Sequence, residues 1–253
     1  MTQDGSGLRA RFILTFSSQG VFPSQEDFHW VDREKGIFVV ADGFGGPISG
    51  LKASKTACEA VRSFLFKEAG DLEATLPFIL RSYFSLAGNV LFNSLIFANQ
   101  KLRKINQGKS IHERGGASLI AGFVDGDLLA IANVGVCEAW LFRDQRQVKL
   151  VMPRNFKRLC DPLSIQEKKN LDVPLIALGI SEDLEPEIVE YKIKQGDWVI
   201  FASDGIPEGL VNQLVEIQRK NIKKSLEKSM QDFNQILQDS IYHDNATLVA
   251  IIF

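Results

Sequence analysis

The chain has 253 residues, of which 45% are hydrophobic and 24% charged, the composition of a globular protein long enough to bury a sizeable core. Its 29 basic and 31 acidic side chains give a net charge of −2, so the composition offers no electrostatic basis for binding nucleic acid or an anionic membrane. Three cysteines at unrelated spacings predict neither a disulfide framework nor a zinc site. With no signal-like leader and no apolar run long enough to span a bilayer, we expect a single cytoplasmic domain over residues 1–253.

Periodicity predicts short strands and three amphipathic helical stripes along the chain. The strand-like segments are 8–16, 36–41, 117–124, 127–134, 137–142, 148–151, 197–203 and 247–253. One helical stripe begins at Ala57, a second runs from Leu76 through Leu80 and Tyr83 to Ile105, and a third runs from Leu226 to Ile241. Because the strands cluster around hairpin turns, an α+β layered sandwich is favoured over alternating βαβ units.

Carboxylates recur at the ends of the apolar strands. Asp42 follows "IFVVA", Asp204 follows "WVIFAS", and Asp244 lies just before the strand "TLVAIIF". The pair Glu26 and Asp27 precedes the first of these strands. A single Asp-Gly pair after a strand is usually only a turn. Three such junctions predict instead that several carboxylates converge at one edge of the sheets.

Clustered carboxylates suggest a site for hard divalent cations. Like charges in a partly dry site repel one another, and a cation relieves that repulsion. Oxygen ligands without cysteine or well-placed histidine suit Mg²⁺ or Mn²⁺ rather than zinc. Two such ions can activate a bridging water, so the residues indicate a two-metal hydrolase acting on a phosphate ester.

Seven fragments, in order along the chain, resemble the motifs of the metal-dependent type 2C (PPM) serine/threonine protein phosphatases in their compact bacterial form. They are "QED", "ADGFGGPISGLKAS", "FANQKL", "GGAS", "ANVG", "GDWVIFASDGI" and "DNATLV". Each fragment alone is a weak signal, but their order and spacing together make the resemblance specific. It implies a four-layer α-β-β-α sandwich of two antiparallel sheets flanked by helix pairs, with a dimetal cleft at one end.

The resemblance also implies a role for each acidic residue. Asp42 would bridge two Mn²⁺ or Mg²⁺ ions, the Gly43 carbonyl would bind one of them, and Asp204 and Asp244 would complete the coordination. Glu26 and Asp27 would contact the metals or orient their waters. The catalytic set would thus be Asp27, Asp42, Asp204 and Asp244, with a metal-bridging hydroxide attacking phosphoserine or phosphothreonine. The expected partner is a phosphorylated protein substrate of a cognate serine/threonine kinase, and a monomer is expected.

The sequence departs from the family at two positions. Phe22 stands five residues before Asp27, where the family has an arginine that grips the substrate phosphate. Val136 follows "ANVG", where the family has an aspartate that supports a third metal site, although Glu208 could supply a further acidic ligand. His243 is a candidate proton donor beside Asp244. Two functions therefore remain open: an active phosphatase, or a catalytically weak pseudophosphatase that binds phosphoproteins.

Overall fold

The computed structural model of the chain describes residues 7–68, 80–144, 146–156, 173–220 and 225–253. Its strands are β1 (Phe12–Ser18), β2 (Phe28–Asp32), β3 (Ile37–Phe44), β4 (Gly116–Asp125), β5 (Leu128–Val134), β6 (Glu138–Arg143), β7 (Arg146–Val151), β8 (Glu187–Lys192), β9 (Trp198–Ala202) and β10 (Ala246–Ile252). Its helices are α1 (Pro47–Glu68), α2 (Leu86–Asn106), α3 (Glu208–Lys220) and α4 (Leu226–Asp239), with a 3₁₀ turn at Ile111–Glu113.

The strands form two five-stranded sheets in which every described pairing is antiparallel. One sheet has the order β2-β3-β4-β5-β8, and the other has the order β1-β10-β9-β6-β7. In the first sheet, consecutive strands pair from β2 to β5. In the second, β10 lies between β1 and β9, so segments far apart in sequence form its centre.

Three apolar layers separate four layers of secondary structure. Strand residues such as Val39 and Leu119 pack with α1 and α2, and residues such as Ile200 and Leu248 pack with α3 and α4. The third layer lies between the sheets. Alternate residues of each strand point to opposite faces, which is why one strand can serve two layers. The predicted α-β-β-α sandwich is confirmed.

A glycine and an aromatic ring are in close contact in the layer between the sheets. A Cβ on Gly122 of β4 would lie 2.7 Å from two ring atoms of Phe201 in β9. Because Gly122 has no side chain, the Phe201 ring lies directly against the backbone of the opposite sheet. Both residues are fully buried.

Two of the predicted helical stripes are too long. Helix α2 begins after Ser85, whose side chain accepts a hydrogen bond from the backbone N–H of Gly88 and caps the helix. Tyr83, before the cap, is 68% exposed, so the apolar spacing there does not report a helix. At the other end of the chain, α4 ends at Asp239 and leaves Ile241 80% exposed. Leu76 and Cys160 lie outside the described residues.

Three elements were not predicted. Strands β2 and β8 have side chains that are nearly all only partly buried, so neither shows a buried–exposed alternation. Helix α3 was also missed, although Leu210, Val211, Leu214 and Ile217 form its buried face. None of the described helices is both long enough and apolar enough to cross a membrane.

Candidate active site

The strand ends that carry the acidic residues meet at one edge of the two sheets. Asp42 and Gly43 come from the last part of β3, Asp204 follows β9, and Asp244 precedes β10. They surround a cavity of about 560 Å³. The residues lining it are Phe22, Glu26, Asp42, Gly43, Phe44, Gly45, Val136, Val173, Pro174, Leu175, Ala177, Ile180, Ser181, Asp204, Asp244 and Asn245. Five of the six residues predicted for the site therefore line one cavity.

Strand β3 does not end where the sequence suggested. It continues through Asp42 to Phe44, and Asp42 pairs across the ladder with Ser118 while Gly43 pairs with Ala117. Asp42 lies in the same alternation as Phe38 and Val40, which face the layer between the sheets. Asp42 is therefore at the cleft end of an otherwise apolar row, held by a hydrogen-bonded strand rather than by a turn.

Close packing explains the glycines that follow Asp42. A Cβ on Gly43 would collide with the carbonyl oxygen of Gly50 in α1 and would lie 2.7 Å from the carbonyl oxygen of Glu26. A Cβ on Gly50 would collide with the Glu26 carboxylate. Gly45 has a φ of 115°, which disfavours any side chain there. Glycine at 43 and 50 thus lets β3, α1 and Glu26 approach one another around the cleft.

Asp27 lies behind the cleft and is 3% exposed. The Ser203 hydroxyl donates a 2.7 Å hydrogen bond to its Oδ2, and Ser203 in turn accepts one from the Thr247 backbone N–H at 2.9 Å. The other oxygen of Asp27, Oδ1, has no hydrogen-bond donor among the described residues. Burial raises the pKa of Asp27 to about 6, against a smaller opposing effect of the Ser203 bond.

The carboxylates raise one another's pKa. The pKa of Asp42 lies well above its usual range, first because of burial and then because of the charges of Asp204, Asp27 and Asp244. The pKa of Glu26 is also raised, mainly by burial and to a smaller extent by Asp244. Asp42 therefore lies within electrostatic range of the other three aspartates. Asp27 is next to a strand of the same sheet, whereas Asp204 and Asp244 are next to strands of the other sheet.

The donor set fits a hard divalent cation. All of the converging groups are oxygens, they carry like charge, and the buried Oδ1 of Asp27 lacks a donor. Among the described residues, however, no three acidic, histidine or cysteine side chains are arranged so that they could ligate one ion. The residues supply the chemistry of a cation site, and a bound cation would relieve the repulsion among their carboxylates.

The loop that carries Phe22 is held by Asn245. The Asn245 amide donates to the backbone oxygens of Gln19 at 2.8 Å and Ser24 at 2.9 Å, and its Oδ1 accepts from the Glu26 backbone N–H at 2.7 Å. These three bonds fix residues 19–26 across the mouth of the cleft. Neither this role nor that of Ser203 was predicted. In the sequence, the only indication of these roles is that each residue is a polar neighbour of a motif aspartate: Ser203 precedes Asp204, and Asn245 follows Asp244.

Apolar side chains form much of the cleft wall. Phe22 is 46% exposed and lines the cavity, as do Val136, Leu175 and Ile180. A phenyl ring thus occupies the cleft mouth at the position where the motif resemblance calls for a phosphate-gripping arginine.

Two further candidates are not part of the cleft lining. Glu208 forms an ion pair with Lys149 at 3.3 Å, and Lys149 also pairs with Glu138 at 2.8 Å. Glu208 therefore faces a lysine and is absent from the residues around the cavity. His243 is exposed and likewise does not line the cavity, which argues against the proton-donor role. Cys137 is fully buried, and burial raises the pKa of its thiol.

Solved structures with the same architecture are bacterial serine/threonine phosphatases. The phosphatase PstP/Ppp of Mycobacterium tuberculosis superposes with a TM-score of 0.76 at 20% identity, over 97% of this chain and 99% of that chain. The chain has the fold of a PPM serine/threonine phosphatase. The PPM phosphatase MsPP of Mycobacterium smegmatis, solved with cacodylate, gives a TM-score of 0.73 at 19% identity over 97% of this chain and 100% of the other.

Another PPM-fold match is PppA, a regulatory component of the type VI secretion system of Pseudomonas aeruginosa, with a TM-score of 0.72 at 20% identity over 96% of this chain and 97% of that one. One structure of the PstP catalytic domain contains two manganese ions. No family model matches the sequence, and no curated protein matches it significantly. The likeness to the PPM fold therefore comes from the structure, and it confirms the resemblance that the motifs indicated.

Proposed function

We propose that the protein is a metal-dependent phosphatase that hydrolyses phosphoserine and phosphothreonine in proteins. The observation that carries the proposal is Asp42, held by a strand at the cleft floor with three further aspartates within electrostatic range. Repelling carboxylates destabilise an empty site, so a cluster of them is understandable where cations neutralise it. The PPM fold of the whole chain supports the same activity.

Two Mn²⁺ or Mg²⁺ ions would be held by Asp42, the Gly43 carbonyl, Asp204 and Asp244, with Glu26 and Asp27 contacting them or orienting their waters. When bound, the ions would lower the pKa of a water enough for it to attack phosphorus, and they would neutralise charge on the phosphoryl group. The reaction consumes one water and yields the serine or threonine hydroxyl and inorganic phosphate.

The chain's own residues orient the site and limit the access of water. Ser203 joins Asp27 to the opposite sheet, so that hydrogen bond ties the acidic residues of the two sheets together. Asn245 holds the loop that contains Glu26 and Phe22. The apolar wall beside Phe22 reduces the water around the reacting phosphate, which strengthens electrostatic interactions inside the cleft.

A pseudophosphatase is the second candidate, favoured by Phe22 and Val136 in the cleft lining. Neither side chain can bind a phosphate or a cation. In this alternative the protein recognises phosphoproteins in the same cleft without turning them over.

Turnover with Mn²⁺ separates the two functions. Wild-type protein is assayed with p-nitrophenyl phosphate and a phosphothreonine peptide, beside Asp42→Asn and Asp204→Asn. We expect each substitution to lower kcat/KM by about 100-fold or more, because stabilisation of the developing charge usually contributes most to the catalysis of such reactions. Asp125→Asn is the matched control, since Asp125 is exposed at the far end of β4. Wild-type turnover no higher than that of Asp42→Asn would refute the proposed phosphatase activity. Binding of the phosphothreonine peptide without turnover would support the pseudophosphatase.

A further inference from the structure

A second groove, of about 790 Å³, lies at the C-terminal end of α2. Among the described residues, its walls carry the basic side chains of Arg103, Lys104 and Arg114 and one acidic side chain, Glu182. The chain as a whole has a net charge of −2, so this local excess of positive charge is opposite in sign to the protein. A groove of that sign attracts anionic segments and raises their local concentration.

Two of the three basic groups are available to a ligand. Arg103 pairs with Glu182 at 2.9 Å, whereas Lys104 and Arg114 are exposed and form no ion pair with any described residue. The Arg114 Nε donates a 3.2 Å hydrogen bond to the backbone oxygen of Lys109, which orients the guanidinium group, and no other described residue accepts a hydrogen bond from it. A guanidinium held in this way can form paired hydrogen bonds with a carboxylate.

The groove adjoins the proposed catalytic cleft. Ile180 lines both cavities. In addition, a Cβ on Gly45 would lie 2.5 Å from the backbone oxygen of Arg114, so the two backbones are in contact. Gly45 lines the cleft three residues after Asp42, and three residues span at most about 11 Å. The basic groove therefore begins within a few residues' length of the cleft floor.

Asparagine side chains on α2 hold the wall between the two cavities. The Asn106 amide donates to the backbone oxygens of Gly115 at 2.7 Å and Gly179 at 3.0 Å, and its Oδ1 accepts from the Gly115 N–H. Nearly two turns earlier, the Asn99 Oδ1 accepts from the Gly179 N–H at 2.8 Å. The wall is fixed before any ligand arrives, so docking requires little ordering of the protein.

We propose that this groove docks an acidic segment of the phosphoprotein substrate, about four to six residues from the phosphorylated residue. That spacing follows from an extended polypeptide, which advances about 3.3 Å per residue, bridging the cleft floor and the groove. The proposal rests on the proposed function, because it requires the phosphorylated residue to lie beside Asp42. Arg103 and Lys104 also complement the partial negative charge at the C-terminus of α2. Arg114 lies beyond that helix and has no such role.

The test uses the full chain and fluorescein-labelled phosphothreonine peptides of equal composition. In one set, three glutamates lie four to six positions from the phosphothreonine, either before or after it. In the other set, the three glutamates lie at the positions next to the phosphothreonine. Binding is measured by fluorescence anisotropy at 50 mM and 300 mM salt, and turnover is measured in parallel with p-nitrophenyl phosphate as a small reference substrate. The variants are Lys104→Glu with Arg114→Glu, and the matched control is Lys101→Glu on the same helix but outside the groove.

We expect the distal-glutamate peptide to bind about tenfold more tightly than the adjacent-glutamate peptide at 50 mM salt, with most of the difference lost at 300 mM. The double variant should lose that preference, and its kcat/KM for the peptide should fall about tenfold relative to that for p-nitrophenyl phosphate. The Lys101→Glu control should keep the wild-type preference between the peptides and the wild-type ratio of kcat/KM values. Equal binding of the two peptides, or equal inhibition by an oligonucleotide of matched charge, would overturn the docking groove.

The docking proposal would also be overturned if the double variant melted at a lower temperature but kept its preference for the distal-glutamate peptide, because the basic side chains would then only stabilise the helix. Failure of the proposed function is distinguishable from all of these outcomes. It appears as absent turnover of p-nitrophenyl phosphate by the wild type, whereas docking is read from peptide binding.

Discussion

Metal-free protein is expected to lose stability as the pH rises from 5 to 7.5, because Asp27 must ionise in a buried position. Burial raises the pKa of Asp27 from 3.8 to about 6. The folded state binds this proton more tightly than the unfolded state, so the contribution to stability is complete below pH 3.8 and is lost as the pH rises through 6. Between pH 5 and pH 7.5 the free energy of unfolding should fall by about 1 kcal/mol from Asp27.

Neighbouring groups modify this pH dependence. The pKa values of Asp42 and Glu26 are also raised, so their ionisation lowers stability in the same direction. Burial lowers the pKa of His29, so the folded state disfavours its protonated form and its contribution grows as the pH rises. A single pH profile therefore mixes opposing effects. The difference between wild type and Asp27→Asn removes the effect of His29 and reports Asp27 together with its interaction with Asp42.

Urea denaturation with EDTA, at pH 5 and pH 7.5, measures that difference. The pH-dependent loss should be about 1 kcal/mol larger in the wild type than in Asp27→Asn, which corresponds to roughly 2–4 °C in melting temperature for a chain of this size. Asp125→Asn should behave as the wild type does. Mn²⁺ at pH 7.5 should then raise the melting temperature of the wild type, since it binds only the folded state. Equal pH dependence in wild type and Asp27→Asn would refute the raised pKa.

Three further substitutions test separate parts of the structure. Phe22→Arg should raise kcat/KM for p-nitrophenyl phosphate about tenfold, because a charge-assisted hydrogen bond to phosphate is worth about 1.5–3 kcal/mol; an increase seen equally with Phe22→Leu would show only a steric effect. Asn245→Ala removes three hydrogen bonds and should lower the free energy of unfolding by about 2–3 kcal/mol in urea, and a loss under about 1 kcal/mol would contradict the loop anchor. Arg143→Ala removes the two hydrogen bonds, of 2.8 and 2.6 Å, that Arg143 donates to the buried carboxylate of Asp197, and it should lower the free energy of unfolding in urea by about 3 kcal/mol. Arg9→Ala, which breaks an exposed ion pair of 3.7 Å, should lower it by less than about 0.5 kcal/mol.

The sequence was sufficient to predict the layered fold and the position of the acidic residues. The junctions at Asp42, Asp204 and Asp244 were informative because each joins a run of buried residues to a charge, a combination that packing alone does not favour. Their convergence followed from placing the strand ends at one edge of the sheets. Whether these residues ligate metal, and whether the chain is one domain, stay predictions.

The rest could not be predicted because it depends on contacts between residues distant in sequence. Asn245 bonds to backbone atoms more than 200 residues away, and Ser203 reaches Asp27 across 176 residues. Nothing in the local pattern specifies such partners. The overlong stripe before α2 is a different kind of error, since Leu80 and Tyr83 have helical spacing but precede the Ser85 cap.

The Phe201 ring occupies the space left by the missing side chain of Gly122, so the two sheets lie in close contact at this point. Phe201 lies in the strand that leads to Asp204, whereas Gly122 lies in the strand paired with the one that carries Asp42. An added methyl group at position 122 would therefore lie 2.7 Å from the Phe201 ring, and either that ring or one of the two strands would have to shift. The strand that leads to Asp204 and the strand beside Asp42 are thus packed together from inside the protein, by the absence of a side chain at position 122.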